Sequence, residues 1–333
     1  MIKIIPFHST PKIVWLDTNI INNIADAVAN KKMNEIEESR ALSLYLILKK
    51  LVKEEKIICP FLIQRDEYID TDVNEICDLI LMELGKGEQL KSLSVGRTQT
   101  KRMLKMYLEN KTDFYFKKDD IFYYKEEPNE NDLLETHGFK FNIMYLHSGG
   151  DKEISNEDNK KIYEFFKRRK NDIQNNKMKI KEVLKEELLS QKTRFVKAIK
   201  EINDLFGFLK TDFNDTDLFY YRIYPLIVHQ KFTGKTDIVE VSNFLGSHYF
   251  FSVPYEEIYS KIIAKILTSN ANIKSTDFQD INSIVAILPY ASLMITDKAM
   301  KGNIEQLNLY KKYDTKVFSL NDYDQIIAEL KKV

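Results

Sequence analysis

The stretch Lys12-Ile13-Val14-Trp15-Leu16-Asp17-Thr18-Asn19 decides how the rest of the chain is read. An apolar run bounded by Pro11 and Asp17 fits a short strand covered on both faces. Ile, Val and Trp suit a pleated surface, and a strand buried on both sides shows no polar alternation. Such a strand delivers Asp17 at its carboxyl end, the edge of an open α/β sheet where ligands bind. The competing reading makes Asp17 or Thr18 a cap for the following helix. The two readings separate only if other acids fall at equivalent strand or helix ends.

Working outward, a polar linker is expected after Asp17, followed by an amphipathic helix from about Glu35 to Lys53. Lys56-Ile57-Ile58-Cys59-Pro60 is a second short strand closed by its proline, and Phe61 to about Leu84 is helical. Near the other end, Val253 to Leu267 is helical, and Ser275 or Thr276 caps a helix running through Leu288. The strand Leu293-Met294-Ile295-Thr296, a helix through Tyr310, the strand Lys316-Val317-Phe318-Ser319 and a closing helix Tyr323 to Leu330 complete the pattern. Strands alternating with helices indicate a parallel sheet with covered faces. Between about Lys86 and Ser252 the alternation stops and long Lys- and Glu-rich helical stretches dominate, such as Asn159 to Leu205. The expected organisation is a discontinuous α/β domain, residues 1–85 and 253–333, around a mainly α-helical insertion, residues 86–252.

The chain has 333 residues, 44% hydrophobic and 30% charged, which suffices for a full core. Lys+Arg and Asp+Glu both number 50, so any basic surface must be local. No apolar run approaches the roughly 18 residues that span a bilayer, and no signal-peptide pattern opens the chain, so a cytoplasmic protein without membrane partners is expected. Cys59 and Cys77 are expected to be buried thiols.

The acids can now be placed. Asp17 ends the first strand; Glu67, with Asp66 beside it, follows the second. Asp277 and Asp280 are three apart and leave the first turn of a helix in the same direction, and Asp297 ends the third strand. An acid at one helix start is explained by the macrodipole alone. Four separate elements each offering a carboxylate beside an apolar segment are not. Convergent carboxylates repel, so they must take up protons or capture a cation. An all-oxygen set suits Mg²⁺ or Mn²⁺, which keep water and bind phosphate oxygens at once.

This ordered set resembles the PIN-domain nucleases, over about the first 85 and last 80 residues. The residues that carry the resemblance are Asp17-Thr18-Asn19, the acid after the second strand, Asp277-Phe278-Gln279-Asp280 and Leu293-Met294-Ile295-Thr296-Asp297. The segment Ile287-Leu288-Pro289-Tyr290-Ala291-Ser292 is similar to a branch of the family in which a Pro-Tyr pair ends the acidic helix. The resemblance implies a PIN-like α/β/α sandwich with a short parallel sheet. It also implies a metal-dependent nuclease, in the first place a ribonuclease, using carboxylate-bound Mg²⁺ or Mn²⁺. Asp17 would be the central ligand, with Thr18 and Asn19 orienting it or its water; Glu67 would be the second, Asp66 remaining the alternative. Asp280 would be the third, with Asp277 as alternative or neighbour, and Asp297 the fourth, supported by Thr296. The insertion departs from compact family members, so substrate preference does not carry over, and a catalytically inactive RNA-binding module on the same scaffold is the alternative.

Within the insertion, bases cluster between Lys160 and Lys181, including Lys167, Arg168, Arg169 and Lys170, among Tyr163, Phe165 and Phe166. A second cluster holds Arg97, Lys101 and Arg102. Basic faces position a phosphate backbone and aromatics stack on unpaired bases, so RNA or single-stranded DNA is the expected partner; a solvated helix face is the competing reading. The insertion also offers a surface for a homo-oligomer or a protein partner. Phe232-Thr233-Gly234-Lys235-Thr236 ends like a phosphate-binding loop, yet His229 stands where its first glycine belongs.

Overall fold

The computed structural model describes residues 2–31, 33–61, 72–88, 90, 92–121, 132–136, 139–143, 156–203, 216–274 and 277–333. In chain order the first elements are β1 (Lys3–Ile5), β2 (Lys12–Leu16), α1 (Thr18–Val28), α2 (Glu35–Lys53), β3 (Ile57–Ile58), α3 (Asn74–Gly85), α4 (Ser92–Leu108) and β4 (Asp113–Tyr115). They are followed by β5 (Asp132–Thr136), β6 (Phe139–Ile143), α5 (Asn156–Asn175), α6 (Ile180–Asn203), α7 (Thr216–Thr233), α8 (Ile238–Leu245) and α9 (Pro254–Thr268). The chain closes with α10 (Asp277–Ile287), β7 (Leu293–Ile295), α11 (Lys298–Gln306), α12 (Leu309–Tyr313), β8 (Lys316–Phe318) and α13 (Tyr323–Leu330). Among the described residues the fold is mixed α/β, 67% helical, with a short parallel sheet.

The chain divides into two compact units. One comprises Ile4–Ser92, Tyr115–Tyr123 and Asn282–Val333; the other comprises Met1–Lys3, Leu93–Phe114 and Tyr124–Ile281. The division puts α9, expected with the C-terminal half, in the helical unit, where it packs against α6 and α5. It also cuts α10 between Ile281 and Asn282.

The first unit is built on a four-stranded sheet ordered β3-β2-β7-β8, parallel throughout. The register places Val14 beside Leu293, Trp15 beside Met294 and Leu16 beside Ile295. Val14, Leu16, Leu293 and Ile295 enter a core with Ile24 of α1, Leu44 and Leu48 of α2, Ile80 of α3 and Ile326 of α13. Ile13, Trp15 and Met294, of opposite parity, are buried as well. Burial on both faces is why the strand sequence is continuously apolar. Asn34 caps α2, its side chain accepting from the Ile36 N–H at 2.9 Å, and the acidic first turn and basic last turn of α2 complement the helix dipole.

Two local expectations change. Instead of a polar linker, α1 begins directly after Asp17, because Ile20, Ile21, Ile24, Ala25 and Ala27 fall on one helical face and are buried, while Asn19, Asn23 and Asp26 gave the segment its polar look. The helix expected through Tyr310 is two, α11 and α12, separated by Asn308 in a left-handed conformation at φ 53°.

The second unit is mainly helical, with an antiparallel hairpin of β5 and β6. The long helical stretch seen from Asn159 to Leu205 breaks between α5 and α6, with Lys177 at φ 51°. The Gln99 side chain on α4 accepts from the Tyr255 N–H at the start of α9, 2.7 Å, and Gly96 lies so close to Tyr221 that a Cβ there would come within 2.9 Å of its ring. Gly234, at φ 75°, follows the end of α7, and the buried His229 ring meets Lys235 O and Glu240 Oε2 at 3.2 and 2.7 Å. The phosphate-loop-like segment is therefore a helix terminus held by a histidine. Cys59 and Cys77 are free, buried thiols, and burial pushes both thiols up, Cys77 to about 11.

Candidate metal-binding site

Asp17 follows the last residue of β2 and stands before the first turn of α1. Its backbone N–H continues the β ladder to Ile295 O at 2.9 Å, and the Thr296 N–H continues the next ladder to Phe318 O at 2.9 Å. These two bonds align the carboxyl ends of β2 and β7, so Asp17 and Thr296-Asp297 meet although 279 residues separate Asp17 from Thr296. The Thr296 hydroxyl donates to Asp17 Oδ2 at 2.8 Å, and the Asp297 N–H donates to the same oxygen at 3.3 Å.

Asp17 occupies the N-cap position of α1 without making the side-chain capping bond. A carboxylate placed there only to cap would accept from the second or third N–H of the helix. Instead it is turned toward the adjacent strand end, 8% exposed. Burial raises its carboxyl above the usual range and the Asp297 charge raises it further, while the Thr296 hydroxyl and the Asp297 and Thr18 N–H groups lower it. Asp17 is thus a buried carboxylate beside a second acid, with no basic group among those influences. Asp297 behaves differently: its Oδ1 accepts from the Ala299 and Met300 N–H groups at 2.6 and 3.1 Å, so it caps α11 while its charge acts on Asp17.

The other expected residues divide as follows. Thr18 is buried and Asn19 is exposed on the first turn of α1. Asp66 and Glu67 lie outside the described residues. Asp277 and Asp280 are both half-buried and belong to the helical unit. Asp277 accepts from the Lys274 N–H at 2.8 Å and acts electrostatically on Lys170, so it has a structural occupation of its own. Among the described residues no group of three or more His, Cys, Asp or Glu is gathered closely enough to hold a metal ion. The donor set at the strand ends is thus two carboxylates. That fits Mg²⁺ or Mn²⁺, which use one or two protein carboxylates and complete their shell with water and substrate phosphate oxygens.

The basic cluster needs one correction. Lys170 is buried, 7% exposed, and its Nζ donates to Ile266 O at 2.6 Å and Ser269 Oγ at 3.3 Å, closing the C-terminus of α9. The low-dielectric surroundings push its ammonium down, and with Nζ turned inward it does not face a phosphate backbone. Arg169 is half-committed, bonding the buried Glu187 at 2.7 Å. Lys167, over the Tyr163 ring at 5.6 Å, and Arg168 remain on the outer face of α5, next to the exposed Phe165. Phe166 is core, stacked on Phe278 with centroids 4.2 Å apart. On α4, Lys101 is exposed, Arg102 is half-buried, and Arg97 donates to Ser94 Oγ at 2.8 Å.

A buried polar group not expected from the sequence surrounds Glu256, which lies at the start of α9 where an acid ordinarily serves the helix dipole. It is 2% exposed, accepts the Tyr221 hydroxyl, and is pushed up to about 7 by burial.

Compared with protein-family models, curated proteins and solved structures, the chain finds no match. Among the described residues no helix is long and apolar enough to cross a membrane.

Proposed function

We propose that the chain is a metal-dependent nuclease with a PIN-like α/β/α sandwich, hydrolysing phosphodiester bonds of RNA with Mg²⁺ or Mn²⁺. The observation that carries this reading is the Asp17 carboxylate: buried, declining its helix cap, and aimed at the neighbouring strand end beside Asp297. Asp17 and Asp297 would hold the ion. When bound, the ion would acidify a water and neutralise charge on the phosphate. Thr296 fixes the Asp17 rotamer by its hydroxyl, and the two strand ladders hold the carboxylate on a rigid support. Lys167 and Arg168 beside Phe165 supply a basic, aromatic surface suited to a single-stranded backbone.

The test is incubation of the full chain with single-stranded RNA and single-stranded DNA, with Mg²⁺, Mn²⁺ or EDTA, alongside Asp17→Asn. Cleavage of RNA that needs the metal and falls by about 100-fold or more in the variant is expected, on the scale of losses seen when metal-site groups are removed. RNA binding without metal-dependent products would replace the nuclease by a binding module.

A further inference from the structure

The segment Phe232-Thr233-Gly234-Lys235-Thr236 joins α7 to α8, and its polar groups converge on His229, one turn before the end of α7. The His229 side chain has no exposed surface. Its Nε2 lies 2.7 Å from Glu240 Oε2 on α8, and its Nδ1 lies 3.2 Å from Lys235 O in the turn. A carboxylate oxygen and a carbonyl oxygen accept and do not donate. Both contacts are therefore hydrogen bonds only when the imidazole carries a proton on each nitrogen.

A second arrangement is built into the same atoms. The Thr233 hydroxyl has one proton and three acceptors within reach: His229 O at 2.9 Å, Lys235 O at 3.1 Å and His229 Nδ1 at 3.4 Å. With a doubly protonated ring the hydroxyl serves a carbonyl. With Nδ1 bare it turns to the ring, and Lys235 O loses both of these donors. The charges around the ring are few. Glu240 is its acid; Asp237 accepts from the Glu240 N–H at 2.9 Å and faces Lys235 Nζ at 3.5 Å. The Asp237 carboxyl is held below the usual range by that N–H first, then by the charges of Lys235 and His229. From α4 the cation at this end of α7 is Lys105, over the Phe232 ring at 5.9 Å. Gly234, at φ 75° and with nothing within 4 Å of where a Cβ would stand, leaves the turn room to move. We infer that the α7–α8 junction is a proton-operated latch: His229, protonated on both nitrogens, ties the turn and α8 to α7, and loss of one proton frees Lys235 O and loosens the turn. Histidine is the side chain whose charge changes within about pH 5–8, and two hydrogen-bond patterns of the same atoms supply the bistable element. The bond to Lys235 O is present at low pH and lost as pH rises. The latch lies within the helical unit and does not depend on the nuclease reading.

Nitrogen-15 spectra of the histidine rings in the full chain from about pH 5 to 9 test it, with His229 assigned by its Overhauser contacts to Thr233. Hydrogen exchange of the segment Gly234–Val241 is read over the same series. Both ring nitrogens should carry protons at the acid end, and one should lose its proton as pH rises. Exchange of the segment, corrected for the intrinsic rate, should quicken in step by about threefold or more, the scale of one hydrogen bond. Thr233→Val, at an exposed position, removes the hydroxyl that serves the bare nitrogen and should move the midpoint up. Glu240→Gln removes the paired acid and should move it down by about one pH unit or more. A ring that keeps the same number of protons throughout, exchange that ignores the ring's titration, or a midpoint unmoved by Glu240→Gln would each overturn the inference.

Discussion

Thr296→Val removes one hydroxyl from the candidate site and leaves the strand otherwise intact. In the native protein that hydroxyl donates to Asp17 Oδ2 at 2.8 Å, with Thr296 2% and Asp17 8% exposed, so water is poorly placed to replace it. Valine keeps nearly the same volume, and the lost bond dominates. A hydrogen bond to a charged group contributes about 1.5–3 kcal/mol, so a loss of about 2 kcal/mol is expected at neutral pH without metal. In an Asp17→Asn background the acceptor is neutral and the same change should cost about 1 kcal/mol, leaving a coupling of about 1 kcal/mol in the double-mutant cycle. The sign of the pH dependence follows from Asp17. Its folded-state pKa is raised above 3.8, so the native state holds the proton more tightly than the unfolded chain, and stability falls as pH rises from 3.8 through the folded value. Thr296→Val removes a bond that lowers that pKa, so the fall continues to higher pH and the cost of the substitution grows across the window. Urea unfolding in EDTA from pH 4 to 8 reads both quantities. Equal cost in the two backgrounds, or a cost that does not change with pH, would refute the claim that Thr296 serves the Asp17 carboxylate.

Other outcomes follow from the same structure. Asp17→Asn should lose metal-dependent cleavage yet unfold at an equal or higher urea concentration in EDTA, since it removes a buried charge whose pKa burial has raised. Glu256→Gln should flatten the pH dependence of the helical unit: with Glu256 raised from 4.5 to about 7, the wild type loses about 3 kcal/mol as pH rises from 4.5 to 7. Calorimetry at several pH values checks this. Lys170→Met should destabilise by about 1–3 kcal/mol through the uncapped α9 terminus without changing RNA affinity. Lys167→Ala with Arg168→Ala should leave stability unchanged and reduce the salt dependence of RNA binding by about two charges, read by titration across salt concentrations.

The α2 helix, the buried β2 strand and the order of strands and helices after Pro254 were legible because each follows a local period or punctuation. Asn34 before Glu35 marks a start; the unbroken Ile13-Val14-Trp15-Leu16 marks a strand covered on both faces. The start of α1 was missed because asparagines on its outer face masked the isoleucines beneath. The break at Asn308 was missed because one left-handed residue leaves no periodic trace. Lys170 looked like its neighbours Lys167 and Arg168, and only the position of the α9 terminus turns it inward.

Sequence alone determined that carboxylates terminate two apolar strands, since strand propensity and chain order are local properties of the residues. It could not determine whether Asp17 caps α1 or faces β7. That choice rests on a hydroxyl and a backbone N–H from residues 296 and 297, brought alongside by parallel pairing across the fold. Hydrogen-bond competition at a strand end is settled by what the neighbouring strand presents, and that is a property of tertiary register.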